Sequence, residues 1–170
     1  MAGTTTNNGW TYPTSTDYVK DGATAIQTLA TGIDTSTGKG LIAWQSWAPV
    51  LGGGWLNGNG VWTARYCQIG KTVHLSAKFV LGTTTTKGST ISMTLPVTAQ
   101  AASSMPYTLR YVIGGVEGTG MAYVLTTTTV VYRLMNVAGT YPSYTSFTAT
   151  TPATWATGDE FEITMTYEAA

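Results

Sequence analysis

A chain of 170 residues with eight Lys or Arg against eight Asp or Glu, only 9% charged, offers no basic footprint for nucleic acid and no basic patch for anionic lipid. One cysteine rules out an intrachain disulfide, and no run approaches the ~20 apolar residues of a membrane helix. Thr (35 residues) and Gly (20) dominate, which favours strands and turns over helices, and a net charge of zero favours association over free diffusion. The length suits one domain or one domain with an appendage. The opening MAGTTTNNGW carries neither a basic region nor an apolar run, so synthesis in a cytoplasm without a secretory signal is expected.

Residues 1–40 read as an N-terminal arm with one short helix. The first 20 are polar and extended, with Trp10, Tyr12, Pro13 and Tyr18 set among threonines. A helix is expected over Asp21–Asp34, where Ile26, Leu29 and Ile33 are spaced three and then four apart, the spacing of a coiled-coil seam. Asp21 is placed to cap its start. About 12 residues of helix are marginal alone in water, so the stripe needs either other copies of the chain or the chain's own β-domain to pack on. TSTGKG at 35–40 reads as a linker.

Residues 41–170 read as an all-β head domain. Val73, Leu75, Ala77 and Phe79 alternate with Thr72, His74, Ser76 and Lys78, the pattern of a half-buried antiparallel strand. Tyr107, Leu109, Tyr111 and Ile113 form a second set, Val130, Tyr132 and Leu134 a third, and Phe161, Ile163, Met165 and Tyr167 a fourth. Turn signals fall at 56–60, 69–71, 83–88, 95–98, 114–120 and 156–160. About eight or nine strands at such spacing imply an antiparallel β-sandwich of jelly-roll type.

Catalytic chemistry finds little to work with. His74 is the only histidine, sits on the polar side of its strand, and has no Gly-x-Ser-x-Gly elbow to serve. One His, one Cys and scattered acids cannot build a zinc site within one chain. Asp159, Glu160 and Glu162, nearest to a calcium-type cluster, are explained by a turn and strand alternation, the alternative being an ion on a threefold axis fed by one carboxylate from each subunit. Cys67 reads as a small apolar filler. The glycine-rich 51–60 lacks the Lys-Ser/Thr ending of a phosphate loop and reads as a flexible connection. No catalytic residue, metal or cofactor is expected. Trp44, Trp47, Trp55 and Trp62, with Asn57 and Asn59, are the candidate glycan-binding set, since indole faces cover sugar rings while amides bond hydroxyls. The preferred alternative is that these rings fill the core or a subunit interface.

The run GNGVWTARYCQIGKTVHLSAKFVLGTTTTKGSTISMTLPVTA at 58–99 resembles a module of phage tail-fibre, minor-tail and other virion proteins, through Arg65-Tyr66, Ile-Gly-Lys-Thr-Val at 69–73 and Leu-Pro-Val at 95–97. GWTYPTSTDYVKDGATAIQTLATGID at 9–34 is similar to the segment preceding such modules in phages of actinobacteria. The resemblance implies a homotrimeric jelly-roll protein on the virion surface, made in the host bacterial cytoplasm and contacting other tail or major capsid proteins. Host attachment through a bacterial surface glycan would follow from the tryptophan set if its rings are exposed, and the composition predicts no nucleic-acid contact and no membrane insertion. Trp10, Tyr12, Ile26, Leu29 and Ile33 become the oligomerisation and attachment residues. The alternatives are a capsid decoration or head-fibre protein gripping the shell through its arm, and a stand-alone carbohydrate-binding module.

Overall fold

The computed structural model describes residues 3–6, 9–16, 18–40, 43–137 and 139–170, with the backbone alone for 35–40. The chain separates into two compact units, Met1–Ala43 and Trp44–Ala170.

In the first unit the arm folds back on itself. Strands β1 (Gly3–Thr4) and β2 (Thr11–Tyr12) pair antiparallel. The turn is closed by the Thr5 N–H donating to the Trp10 carbonyl at 2.9 Å and by the Trp10 N–H donating to Thr5 Oγ1 at 2.9 Å. One 3-10 turn, Val19–Asp21, runs directly into helix α1 (Gly22–Gly40). Asp21 therefore lies inside helical backbone and does not cap the helix. The extended boundary residue is Tyr18, whose side chain makes no capping bond. The helix also continues through 35–40, where a linker is expected. Gly38 and Gly40 weaken a helix by about 1 kcal/mol each, but only proline would remove a ladder hydrogen bond, and the segment has none.

The half-buried helix positions Gly22, Ala25, Leu29 and Gly32 recur at intervals of three and four, so they share one face. Trp10 covers part of that face, its ring lying where a Cβ on Gly32 would meet it at 3.5 Å. Leu29 belongs to this arm-facing side. Val19 and Ile26 are 97% and 61% exposed, and Ile33 is 38% exposed.

The second unit is an antiparallel β-sandwich made by one curled sheet. Its strands are β3 (Gln45–Ser46), β4 (Leu51–Gly52), β5 (Val61–Ile69), β6 (Thr72–Val80), β7 (Ser92–Thr94) and β8 (Ser103–Ile113). They are followed by β9 (Val116–Thr126), β10 (Thr129–Asn136), β11 (Ser143–Ser146) and β12 (Glu160–Glu168). The spatial order is β3-β5-β6-β12-β8-β9-β10-β7-β4, with β11 beside β10. The two ends of that path, β3 and β4, are joined by residues 47–50 alone, so the sheet curls until one short segment bridges both of its edges. That covers part of each edge, where an open row of N–H and C=O groups would invite pairing.

Alternation positions the core. Val73, Leu75, Ala77 and Phe79 of β6 face inward with Phe161, Ile163, Met165 and Tyr167 of β12, and all are buried. Val124 of β9 and Val130, Tyr132 and Leu134 of β10 close the same core from the other half. Each fully buried Val, Leu, Ile or Phe contributes roughly 1.5–3 kcal/mol. The β8–β9 hairpin turns on Gly114–Gly115, whose φ values of 57° and 80° suit a type I′ turn. The rest of the 114–120 stretch, read as turn, is strand. Gly118 lies under the Tyr111 ring, where any Cβ would overlap it, so this glycine makes room for an aromatic rather than for a bend.

Among the described residues three buried side-chain groups lack a hydrogen-bond partner, the Trp47 and Trp62 indole N–H groups and the Tyr132 hydroxyl, and burial raises the pKa of Tyr132 far above the usual phenol value. Replacing Tyr132 with Phe removes a desolvated hydroxyl without removing the ring. Stability should hold or rise by about 1 kcal/mol. Urea denaturation reads this directly, and a loss of comparable size would show that the hydroxyl has a partner.

Candidate functional site

The four tryptophans of 44–62 do not assemble into a sugar-binding platform. Trp55 is fully buried, donates from Nε1 to the Ser89 carbonyl at 3.0 Å and meets Trp155 edge-on. Trp47 and Trp62 are partly buried against the core; Trp47 stands edge-on to Tyr66, and Trp62 lies 4.7 Å from Phe79 between ring centroids. Trp44 is 46% exposed, but its ring is covered by the Arg65 guanidinium at 4.8 Å. The amides are committed as well. Asn57 donates to the Pro49 carbonyl and accepts from Leu51, while Asn59 donates to Thr83 and accepts from Thr84. The 51–60 segment is thus pinned at several points and is not a flexible connection.

Several ionisable groups are likewise engaged within the fold. His74 Nδ1 lies 2.8 Å from Thr166 Oγ1 on the outward face, and Cys67 is buried and free opposite it in the β5–β6 ladder. Asp159 is buried, its Oδ1 accepting from the Gly114 N–H at 2.9 Å and its Oδ2 from the Ala156 N–H at 2.6 Å. Among the described residues no group of three or more His, Cys, Asp or Glu is placed to hold a metal ion, and no helix is long and apolar enough to cross a membrane. Glu160 and Glu162 turn outward into a cross-strand charge network. Lys78 reaches Glu160 at 2.6 Å, and Arg110 bridges Glu160 at 3.1 Å, Glu162 at 3.2 Å and Glu117.

The Lys78 ammonium, helped by Arg110, holds the Glu160 carboxyl below the usual carboxylate range against the opposing effect of burial. A carboxyl depressed in the fold adds stability above its unfolded value, near pH 4.3, and that part is lost as the pH falls through the folded value. Urea midpoints at successively lower pH should therefore fall more steeply for the native chain than for Glu160→Gln. Parallel curves would show that this pair carries no net linkage.

Among the described residues, a concave feature lies where β8 leaves β12. The two strands pair only from Glu160↔Val112 to Ile163↔Leu109, and on its other side β8 shifts register against β9 between Ser103 and Tyr107. The Tyr107 hydroxyl crosses the gap and donates to the Thr166 carbonyl at 2.7 Å, while Tyr167 donates to the Val97 carbonyl at 2.7 Å. Burial pushes the Tyr167 phenol up to about 12 and raises that of Tyr107. Cavities of 310, 430 and 350 Å³ all have Tyr107 in their walls. The first two share Glu168, the second also takes in Lys71, and the third is flanked by Met121 and Met135.

Sequence reading passes over this place because Tyr107 belongs to a regular inward alternation. The signal that marks it is Pro106, which cannot donate to a ladder and so belongs at an edge or bulge. No family model matches the chain, and no curated protein or solved structure is significantly similar to it.

Proposed function

We propose that this protein is a non-enzymatic structural component of the outside of a bacteriophage particle. In this reading it is a homotrimer of tail-fibre or minor-tail type, with the first unit assembling and attaching it and the β-domain turned toward the host surface. The observation that carries the reading is the helix seam. Val19, Ile26 and Ile33 recur every seven residues, and Val19 and Ile26 expose most of their surface. Such a heptad repeat is what a helix needs to bury itself against copies of itself. Leu29 faces the arm and not this exposed stripe, so the stripe alone does not set a copy number, and three copies rest on the resemblance of 9–34 and 58–99 to virion proteins. The charge-poor, threonine-rich surface fits a protein that works in contact with neighbours.

Native mass spectrometry should give three times the 17.9 kDa chain mass. Ile26→Asp with Ile33→Asp should reduce it to one chain and abolish incorporation into particles, with the β-domain still folded. An unchanged mass and unchanged incorporation would remove the seam, and a mass of two chains would remove the threefold part. Capsid decoration is the outcome if incorporation follows the capsid shell and not the tail.

A further inference from the structure

We infer that the cleft around Tyr107 is a saccharide-binding site, and that it, rather than the tryptophan segment, is where the β-domain holds a glycan. The inference deepens the host-surface part of the reading above and rests on it for the biological source of the sugar. The geometry of the cleft stands by itself.

Regular antiparallel pairing would have sealed β8 against β12 along their whole length. That pairing instead stops at Ile163↔Leu109, and cavities lie on more than one side of a single tyrosine just beyond it. Their volumes, 310 and 430 Å³, are at the lower end of the range for small-ligand sites and suit one or two sugar rings each. The lining suits polyols in particular. Lys71 offers a cationic donor and Glu168 an anionic acceptor to the 430 Å³ cavity, yet neither is ion-paired among the described residues. Gln100 and Ser103 add an amide and a hydroxyl to the neighbouring one.

Sugar hydroxyls both donate and accept, so they satisfy such a mixed set, whereas an anion would leave Glu168 opposed and a cation would leave Lys71 opposed. Tyr107, half-buried against the core and fixed by its bond to Thr166, is the aromatic wall common to these cavities, and aromatic walls suit the apolar faces of sugars. The third cavity, between Tyr107 and the Met121–Met135 side, extends the apolar part. A peptide strand is the competing occupant. It is disfavoured because the Glu168 carbonyl, at the end of the unpaired part of β12, is already bonded by the Gln100 N–H at 2.8 Å, and Tyr107 takes the Thr166 carbonyl.

The test titrates the isotope-labelled full chain with hexasaccharides of α- and β-linked glucose, xylose and N-acetylglucosamine, and separately with a mixed decapeptide library, following amide shifts by NMR. At least one hexasaccharide at about 10 mM should shift the amides of Lys71, Ser103, Tyr107 and Glu168. Lys71→Met and Glu168→Gln, both at exposed positions, should each weaken that binding about fivefold or more without moving the urea midpoint. No shift with any hexasaccharide, shifts confined to the Trp44 side, or shifts with peptides alone would each overturn the inference. Because the protein is tested off the particle, failure here leaves the virion reading standing. A protein absent from particles that still binds sugar would sink only the virion reading.

Discussion

Trp155→Ala is expected to destabilise the β-domain by about 3–5 kcal/mol, enough to consume much of the stability of a domain this size. Trp155 is buried at the meeting point of both halves of the sheet. Its ring meets Trp55 and Phe161 edge-on and lies at a tilt to Phe147 and Tyr111, with centroids 5.9 to 6.4 Å away. Its Nε1 donates to the Thr148 carbonyl at 3.0 Å. Truncation therefore opens a cavity among four aromatic rings and also removes one of the two donors to the Thr148 carbonyl, the other being the Thr151 N–H. Rings packed this closely cannot collapse into the space without losing one another. The urea midpoint should fall sharply with little change in slope, and a loss below about 1 kcal/mol would mean the cluster is looser than its geometry implies.

Asp159→Ala should cost about 3 kcal/mol or more. The carboxylate is buried and bonds two backbone N–H groups on separate loops, Gly114 in the β8–β9 turn and Ala156 ahead of β12. Its own backbone carbonyl also accepts from Leu81. Hydrogen bonds to an ionised group contribute roughly 1.5–3 kcal/mol each, and their removal strands buried donors. Asp159→Asn keeps one acceptor and should recover about half of the loss. Equal damage from both variants would show that charge, not bonding geometry, holds the loops.

The all-β class and the inward residues of β6, β10 and β12 were legible in the sequence because period-two alternation is a direct record of which face is wet. The course of 114–120 was not, since Gly118 is there for the approach of Tyr111, a contact between strands that no local window contains. The extension of α1 to Gly40 was hidden by glycine and threonine, whose weak helix preference resembles that of a linker. The tryptophans misled for a related reason. An indole reads alike in a core and on a sugar-binding face, and only burial separates Trp55 from Trp44. The Tyr107 cleft lies where the pairing of β8 with β12, strands distant in sequence, ends at Ile163↔Leu109, so composition could not display it.

The most direct test of the proposed role is immunogold labelling of intact phage particles with antibody raised against residues 44–170, viewed by electron microscopy. Gold at the tail, at positions consistent with trimers, is the result this account predicts. Particles free of label, with the protein recovered only outside them, would contradict it.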